Sequence, residues 1–132
     1  MRYLLDTNIV SDMMRNPQGR VFQRIAEVGE DAVLTSIIVS CEVRFGIEKR
    51  QSKKLAKRFS DVFGSLQVAR LDTSAEEHYA VVRTKLEAMG NPIGQMDMLI
   101  AAHALALDAV VVTDNEREFS RVPGLKVENW LR

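Results

Sequence analysis

Five acidic residues of this chain sit where carboxylates can do chemistry. Asp6 directly follows the short apolar run Tyr3–Leu5, in Asp6-Thr7-Asn8, and Asp114 follows Ala109–Val112, in Thr113-Asp114-Asn115. If those runs are strands of a parallel sheet, both carboxylates stand outside strand carboxyl ends, where α/β folds gather their ligands. On a helix, the neighbours of Glu42 at three and four positions are Ile38, Val39, Phe45 and Gly46, and Asp97 shares a face with Ile100, Ala101 and Ala104. An acid on an apolar face is costly unless it is paired or bound to a metal. Glu118 follows Asn115 by three residues. Each acid also has a purely structural reading. Asp6 and Asp114 suit turns or helix caps, Asp97 a favourable first-turn charge, Glu42 a partner for Arg44 or a neighbouring base, and Glu118 a capping box.

If the acids converge, their repulsion needs relief. At ~5 Å and an effective dielectric near 20, each like-charge pair costs about 3 kcal/mol. A hard divalent cation removes that cost, and oxygen-only donors favour Mg²⁺ or Mn²⁺. Such an ion activates water and stabilises a phosphoryl transition state. A zinc set is excluded, because the chain has one cysteine, Cys41, and two histidines, His78 and His103, without ligand spacing. Both histidines are read as structural or surface residues.

The elements that must position these acids alternate in type. Apolar runs at Tyr3–Leu5, Ala32–Leu34 and Ala109–Val112, with weaker ones at Leu66–Ala69 and Leu125–Val127, read as strands buried on both faces. Helical patterns cover Pro17 to about Val28, Ile37 to about Arg50, Lys53–Phe63, Ser74–Met89, Gln95 to about Leu107, and Asn115–Phe119. Ser74-Ala75-Glu76-Glu77 reads as a capping box and Gly90-Asn91-Pro92 as a terminator. The alternation predicts an α/β fold, a mostly parallel central sheet flanked by helices, in one domain over residues 1–132.

Composition agrees. Hydrophobic residues make up 46% and charged residues 27%, which excludes a disordered or low-complexity chain. The 18 basic and 18 acidic residues cancel, so global charge argues neither for nor against nucleic acid. No window approaches the ~20 apolar residues of a membrane span, and the start of the chain is too short in apolar residues for a signal peptide. The lone Cys41 in an apolar stretch fits a reducing compartment, so a cytoplasmic protein without membrane association is expected.

Taken in order, these pieces carry a resemblance. Leu4-Leu5-Asp6-Thr7-Asn8, then Thr35-Ser36 with Glu42 and Phe45-Gly46, then Gly94 with Asp97 and Ile100-Ala101-Ala102-His103-Ala104, then Val112-Thr113-Asp114-Asn115 with Glu118-Phe119, span almost the whole chain. The chain resembles a PIN domain, specifically a VapC-type toxin ribonuclease of a type II toxin–antitoxin pair. The resemblance implies a three-layer PIN-like sandwich and Mg²⁺- or Mn²⁺-dependent endonucleolytic cleavage of RNA, with tRNA as the expected substrate. It places the family acids on Asp6, Glu42 and Asp97, with Asp6 and Asp97 as metal ligands. The fourth acid falls on Asp114 or Glu118, and the alignment of Asn115 to Phe119 favours Glu118. Thr7, Asn8, Thr113 and Asn115 fall on supporting polar positions. Met96 departs from the aromatic residue common in relatives. A homodimer and a cognate VapB-like antitoxin, whose arm pushes an Arg into the acid pocket, are also implied.

Lys49, Arg50, Lys53, Lys54, Lys57 and Arg58 crowd one stretch, with Lys53 and Lys57 on one helical face and Lys54 and Arg58 on another. They suit RNA phosphates or the antitoxin, or a merely solvated face. Two rival readings stand beside the nuclease: a non-catalytic PIN-type module that binds RNA or a partner, which an intact acid set argues against, and a phospho-acceptor receiver domain. The receiver would need an acceptor Asp after a central strand, where this chain has Thr35-Ser36.

Overall fold

The computed structural model describes all residues 1–132. Five strands, β1 (Arg2–Leu5), β2 (Val33–Ser36), β3 (Gln67–Ala69), β4 (Ala109–Val112) and β5 (Val127–Glu128), form one sheet. Every pairing is parallel, and the order is β3-β2-β1-β4-β5. The chain therefore builds outward from β1 to one side and returns to its other side with β4, which makes the β1–β4 seam the switch point where ligand crevices open. Seven helices connect the strands: α1 (Thr7–Arg15), α2 (Arg20–Val28), α3 (Ile37–Arg50), α4 (Lys53–Phe63), α5 (Glu76–Ala88), α6 (Gln95–Ala106) and α7 (Glu116–Phe119). Every residue of β2 and β4 is buried, which requires cover on both faces of the sheet.

The core runs through the sheet's centre, with Leu4, Leu5, Leu34, Val111 and Val112 all essentially inaccessible. Helix α6 is apolar nearly all round, burying Met98, Ile100, Ala101, Ala102, His103 and Ala104, so it is an interior helix without a polar stripe. His103 Nδ1 lies 2.8 Å from Ser36 Oγ, and burial lowers its pKa below the ordinary histidine value. His78 is exposed. Both histidines thus occupy structural or surface positions, as expected.

The element boundaries depart from the sequence reading at instructive places. Helix α1 is absent from the sequence pattern; Asp6-Thr7-Asn8 reads as a turn, and Thr, Asn, Ile and Val are indifferent helix formers. It forms because Asp6 caps it and because Ile9, Val10, Met13 and Met14 fall on one buried face. Pro17 lies in a turn, and α2 begins only at Arg20 after Gly19. Ser74 does not cap α5; a short 3₁₀ turn over Thr73–Ala75 intervenes, capped by Asp72, whose side chain accepts from the Ser74 N–H. Strand β2 starts one residue later than expected and continues through Thr35-Ser36. The Gly90 terminator holds, with a φ of 65° and the Asn91 N–H donating to the Leu86 carbonyl. Cys41 is a free, exposed thiol on α3.

Register sets the neighbours at the end of β1. Leu5 lies opposite Thr35 on one side and Val112 on the other. Thr35 Oγ1, fully buried, donates to the Leu5 carbonyl at 2.6 Å and ties the ends of β1 and β2 together. Thr35→Val keeps the shape and removes that donor. Its expected cost is about 1 kcal/mol, read as a lower urea midpoint with an unchanged slope and an intact circular dichroism spectrum.

Candidate active site

Asp6 is the first residue beyond β1, and its N–H donates to the Val112 carbonyl, which pins it to the seam. The residue is 4% exposed. One carboxylate oxygen accepts from the Thr7 N–H at 2.8 Å, capping α1, and the other accepts from Thr113 Oγ1 at 2.8 Å. Asn8 Nδ2 stands 3.5 Å from both Asp6 Oδ2 and Thr113 Oγ1, a marginal contact that closes the cluster. Burial pushes the Asp6 pKa up, the hydrogen bonds from Thr113 and Thr7 oppose that, and the charge of Glu42 adds to it.

Glu42 comes from α3, and its Oε1 accepts from Thr7 Oγ1 at 2.8 Å. The helix face around Glu42 is less apolar in its packing than its sequence neighbours suggest. Val39 is buried, but Phe45 is 66% exposed and Glu42 itself half-buried, so Glu42 lies at the edge of the packed face. Its partner is the Thr7 hydroxyl. Arg44 instead lies over the Phe59 ring, 4.5 Å from its centroid.

Asp97, in the first turn of α6, completes the group. Its pKa is pushed up to about 7, first by burial, then by the charges of Asp6 and Glu118, by a hydrogen bond with Glu118, and by Glu42. Gly94, immediately before α6, leaves room beside this carboxylate; a Cβ there would meet Asp97 Oδ2 at 3.7 Å. Glu118 on α7 is steered by Asn115, whose Nδ2 donates to Glu118 Oε2 at 2.9 Å. The expected capping box does not form, since the Asn115 N–H goes to Thr113 Oγ1.

Glu118 and Asp114, the two candidates for the fourth acid, have different surroundings. Glu118 acts on Asp97, whereas Asp114 is exposed and its Oδ1 accepts from Asn129 Nδ2 at 3.0 Å. The backbone of Asp114 has its own task, donating to Asn8 Oδ1. Thr7, Asn8, Thr113 and Asn115 each hold an acid or each other. The basic stretch is mostly apart from this cluster. Lys49, Lys53, Lys54 and Lys57 are exposed, Arg58 is half-buried, Lys57 pairs with Asp61 at 3.3 Å, and only Arg50 reaches a pocket that Glu42 also lines. Arg15, not singled out from sequence, lines the same pocket. The larger concavities, about 680 Å³ beside the α1–α2 turn and about 530 Å³ between α3 and α4, contain none of the four acids.

The donors are all carboxylate or hydroxyl oxygens, which is the ligand chemistry of Mg²⁺ and Mn²⁺. Glu42 and Glu118 each have one oxygen tethered by a neighbouring side chain, and each carboxylate oxygen carries two lone pairs. The set fits a hard divalent cation in its chemistry. It is not a preformed cage, because no three of the acidic or imidazole groups stand close enough to make one. Asp97 and Glu118 are half-exposed and share a hydrogen bond.

A family model described as the PIN domain matches residues 3–125. The chain is 36% identical to ribonuclease VapC2 of Rickettsia felis and 32% identical to the tRNA(fMet)-specific endonuclease VapC of Shigella flexneri, in each case covering 98% of both chains. Its fold is similar to that in the crystal structure of VapBC2 from Rickettsia felis bound to a promoter DNA fragment, with a TM-score of 0.87, 34% identity, and coverage of 98% and 99%.

The raised Asp97 pKa makes a sign-definite prediction for the metal-free protein. Between its ordinary value and about 7, the native state binds more protons than the unfolded chain, so stability falls as pH rises through that window. Thermal melts in EDTA should show a falling midpoint as pH is raised through that window. Asp97→Asn should flatten that profile and be the more stable protein above it, with the difference removed by saturating Mn²⁺ in the wild type.

Proposed function

The chain belongs to the PIN-domain family, in its VapC branch, and from that premise we propose that it is the toxin of a toxin–antitoxin pair, an Mg²⁺- or Mn²⁺-dependent endoribonuclease that cuts tRNA. The observation that carries the reading is the Thr7 link, whose N–H holds Asp6 and whose hydroxyl holds Glu42, each at 2.8 Å, at the β1–β4 seam, with the Asp97 carboxyl pushed up to about 7 first by burial and then by the charges of Asp6, Glu118 and Glu42. A purely binding module has no use for that repulsion, and the 36% identity to a VapC ribonuclease runs through the same chain.

Asp6 and Asp97 would hold the cation, with Glu42 and Glu118 supporting it. When bound, the ion neutralises charge on the scissile phosphate and brings the pKa of a water toward neutrality. The chain's own residues supply aim. Thr113 and the Thr7 N–H fix the Asp6 carboxylate on a buried strand end, Thr7 Oγ1 fixes Glu42, and Asn115 fixes Glu118. No histidine stands at the site, so proton transfer falls to water and the carboxylates. Asp97, raised to about 7 in the metal-free protein by burial and neighbouring charge, would give up its proton on taking the cation.

The partner is a VapB-like antitoxin, since the structurally similar chain was crystallised in a VapBC complex. An arginine from it suits the acid cluster, because a guanidinium replaces the cation's charge with bidentate geometry. Ile37 and Phe45, exposed at 39% and 66%, offer apolar surface for a homodimer. No helix is long and apolar enough to cross a membrane, and the proposed site of action is the cytoplasm, with its tRNA.

Brief induction in bacteria, with mapping of new RNA 5′ ends, tests the reading. Growth should arrest, discrete tRNA ends should appear, and co-expressed antitoxin should restore growth. Asp6→Ala should fold and do neither; arrest by that folded variant would move the chain to the binding-module class. In vitro, with saturating Mg²⁺ and a tRNA(fMet) transcript, Glu118→Gln should lose at least about 100-fold in cleavage, as several kcal/mol of phosphate stabilisation are withdrawn. Asp114→Asn should stay within about threefold, since only a surface hydrogen bond to Asn129 is disturbed. The reverse ranking would assign the fourth acid to Asp114.

A further inference from the structure

Helix α3 carries a glycine that the fold does not ask for. Gly46 lies in the interior of the helix, its φ is not positive, and a Cβ built on it meets nothing within 4 Å. Neither backbone conformation nor close packing requires it, and an interior helical glycine costs about 1 kcal/mol relative to alanine. The space it leaves is part of a pocket of about 240 Å³ between α1, α3 and α4. That pocket shares Thr7 and Glu42 with the acid cluster.

Two further features give the pocket a chemistry. Arg15, at the end of α1, and Arg50, at the end of α3, both line it, and neither makes an ion pair or a side-chain hydrogen bond within the chain. Exposed guanidiniums without partners, beside carboxylates, suit phosphate oxygens bidentately. The floor is apolar, with Met14 and Val43 buried and Ile47 and Leu55 half-buried, which suits the face of a base.

Resting on the endoribonuclease reading, we propose that this pocket is an RNA subsite. It receives a nucleotide of the strand adjacent to the bond being cut; Arg15 and Arg50 bind its phosphates, and the open wall at Gly46 admits its base. The strand that reaches Glu42 passes this opening, and a nucleic acid brings a phosphate with every residue to satisfy both arginines. A protein segment would need acidic residues at matching positions.

The test uses the full chain with Asp6→Asn, which keeps RNA uncut, and a fluorophore-labelled tRNA(fMet) transcript followed by anisotropy over a salt series in Mg²⁺. Arg15→Gln and Arg50→Gln should each weaken binding roughly tenfold. Each should also reduce the slope of log affinity against log salt by about 0.7 to 0.9. Gly46→Leu, which fills the pocket, should weaken binding at least about tenfold, and Gly46→Ala should raise Tm while weakening binding less. In the chain with Asp6 intact, Gly46→Leu should raise KM and leave kcat within about threefold. If Gly46→Leu fails to fold, the arginine pair and Gly46→Ala carry the same test. Wild-type affinity, slope and KM in these variants would overturn the proposal, as would loss of affinity for a purified antitoxin with RNA binding intact. Failure of the chain with native Asp6 to cut any tRNA would overturn the endoribonuclease reading itself; cutting with unaltered variants would overturn only the subsite.

Discussion

A carboxylate as enclosed as Asp6 must be matched by donors, and here the match spans the seam between the first strand and the fourth. Thr113 comes from the end of β4 and reaches Asp6 at 2.8 Å, while the Thr7 N–H holds the other oxygen. Unmet, a buried carboxylate costs several kcal/mol; met, it becomes a fixed point from which the neighbourhood is surveyed. Thr113 Oγ1 also accepts from the Asn115 N–H and so sets the entry into α7. Asn8 accepts from the Asp114 N–H and so closes the loop after β4. Placement of Glu118 therefore depends on the same small knot that aims Asp6.

The knot explains why structural and catalytic readings of these residues do not compete. Asp6 caps a helix and still has lone pairs to offer a cation, because each carboxylate oxygen carries two. Asp97 is a first-turn acid near the positive end of α6 and also an acid pushed up to about 7 by burial and then by neighbouring charge. The cost appears in the metal-free state, where like charges from α3, α6 and α7 face the end of β1 without relief. A cation that binds the native but not the unfolded chain adds stability that grows with the logarithm of its concentration over its dissociation constant. The fold is thus expected to be most secure when positive charge stands among these carboxylates.

Much of this was legible from sequence, for reasons that differ by residue. Strand runs at Tyr3–Leu5 and Ala109–Val112 are continuous and apolar because both sheet faces are covered, and they locate Asp6 and the Thr113–Asn115 turn without ambiguity. Helix α1 was not legible, since its stability comes from the cap and from burial of Ile9, Val10, Met13 and Met14, and propensity alone is silent about both. Spacing leaves Asp114 and Glu118 both open because it cannot say which way a loop turns; in the fold Asn129, from beyond β5, donates to the Asp114 side chain. Helical spacing puts Glu42 on an apolar face that the fold does not fully bury, since Phe45 on that face is exposed.

Arg15 could not have been found before α1 was known to exist, and this shows where pattern reading runs out. A basic residue carries meaning only through what it stands beside. Six cations crowd residues 49–58, yet only Arg50 among them lines the pocket shared with Glu42, and its companion Arg15 comes from a distant stretch of sequence. The charge run on α4 is largely a solvated face, with Lys57 engaged by Asp61 one turn away. Gly46 points the same way from the opposite direction. In sequence it is one residue of a motif; in the fold it is an absence of side chain in a helix that would be firmer with one. A position where the chain forgoes stability without a packing or backbone reason is where an external molecule is best sought, and here that position opens onto the acids.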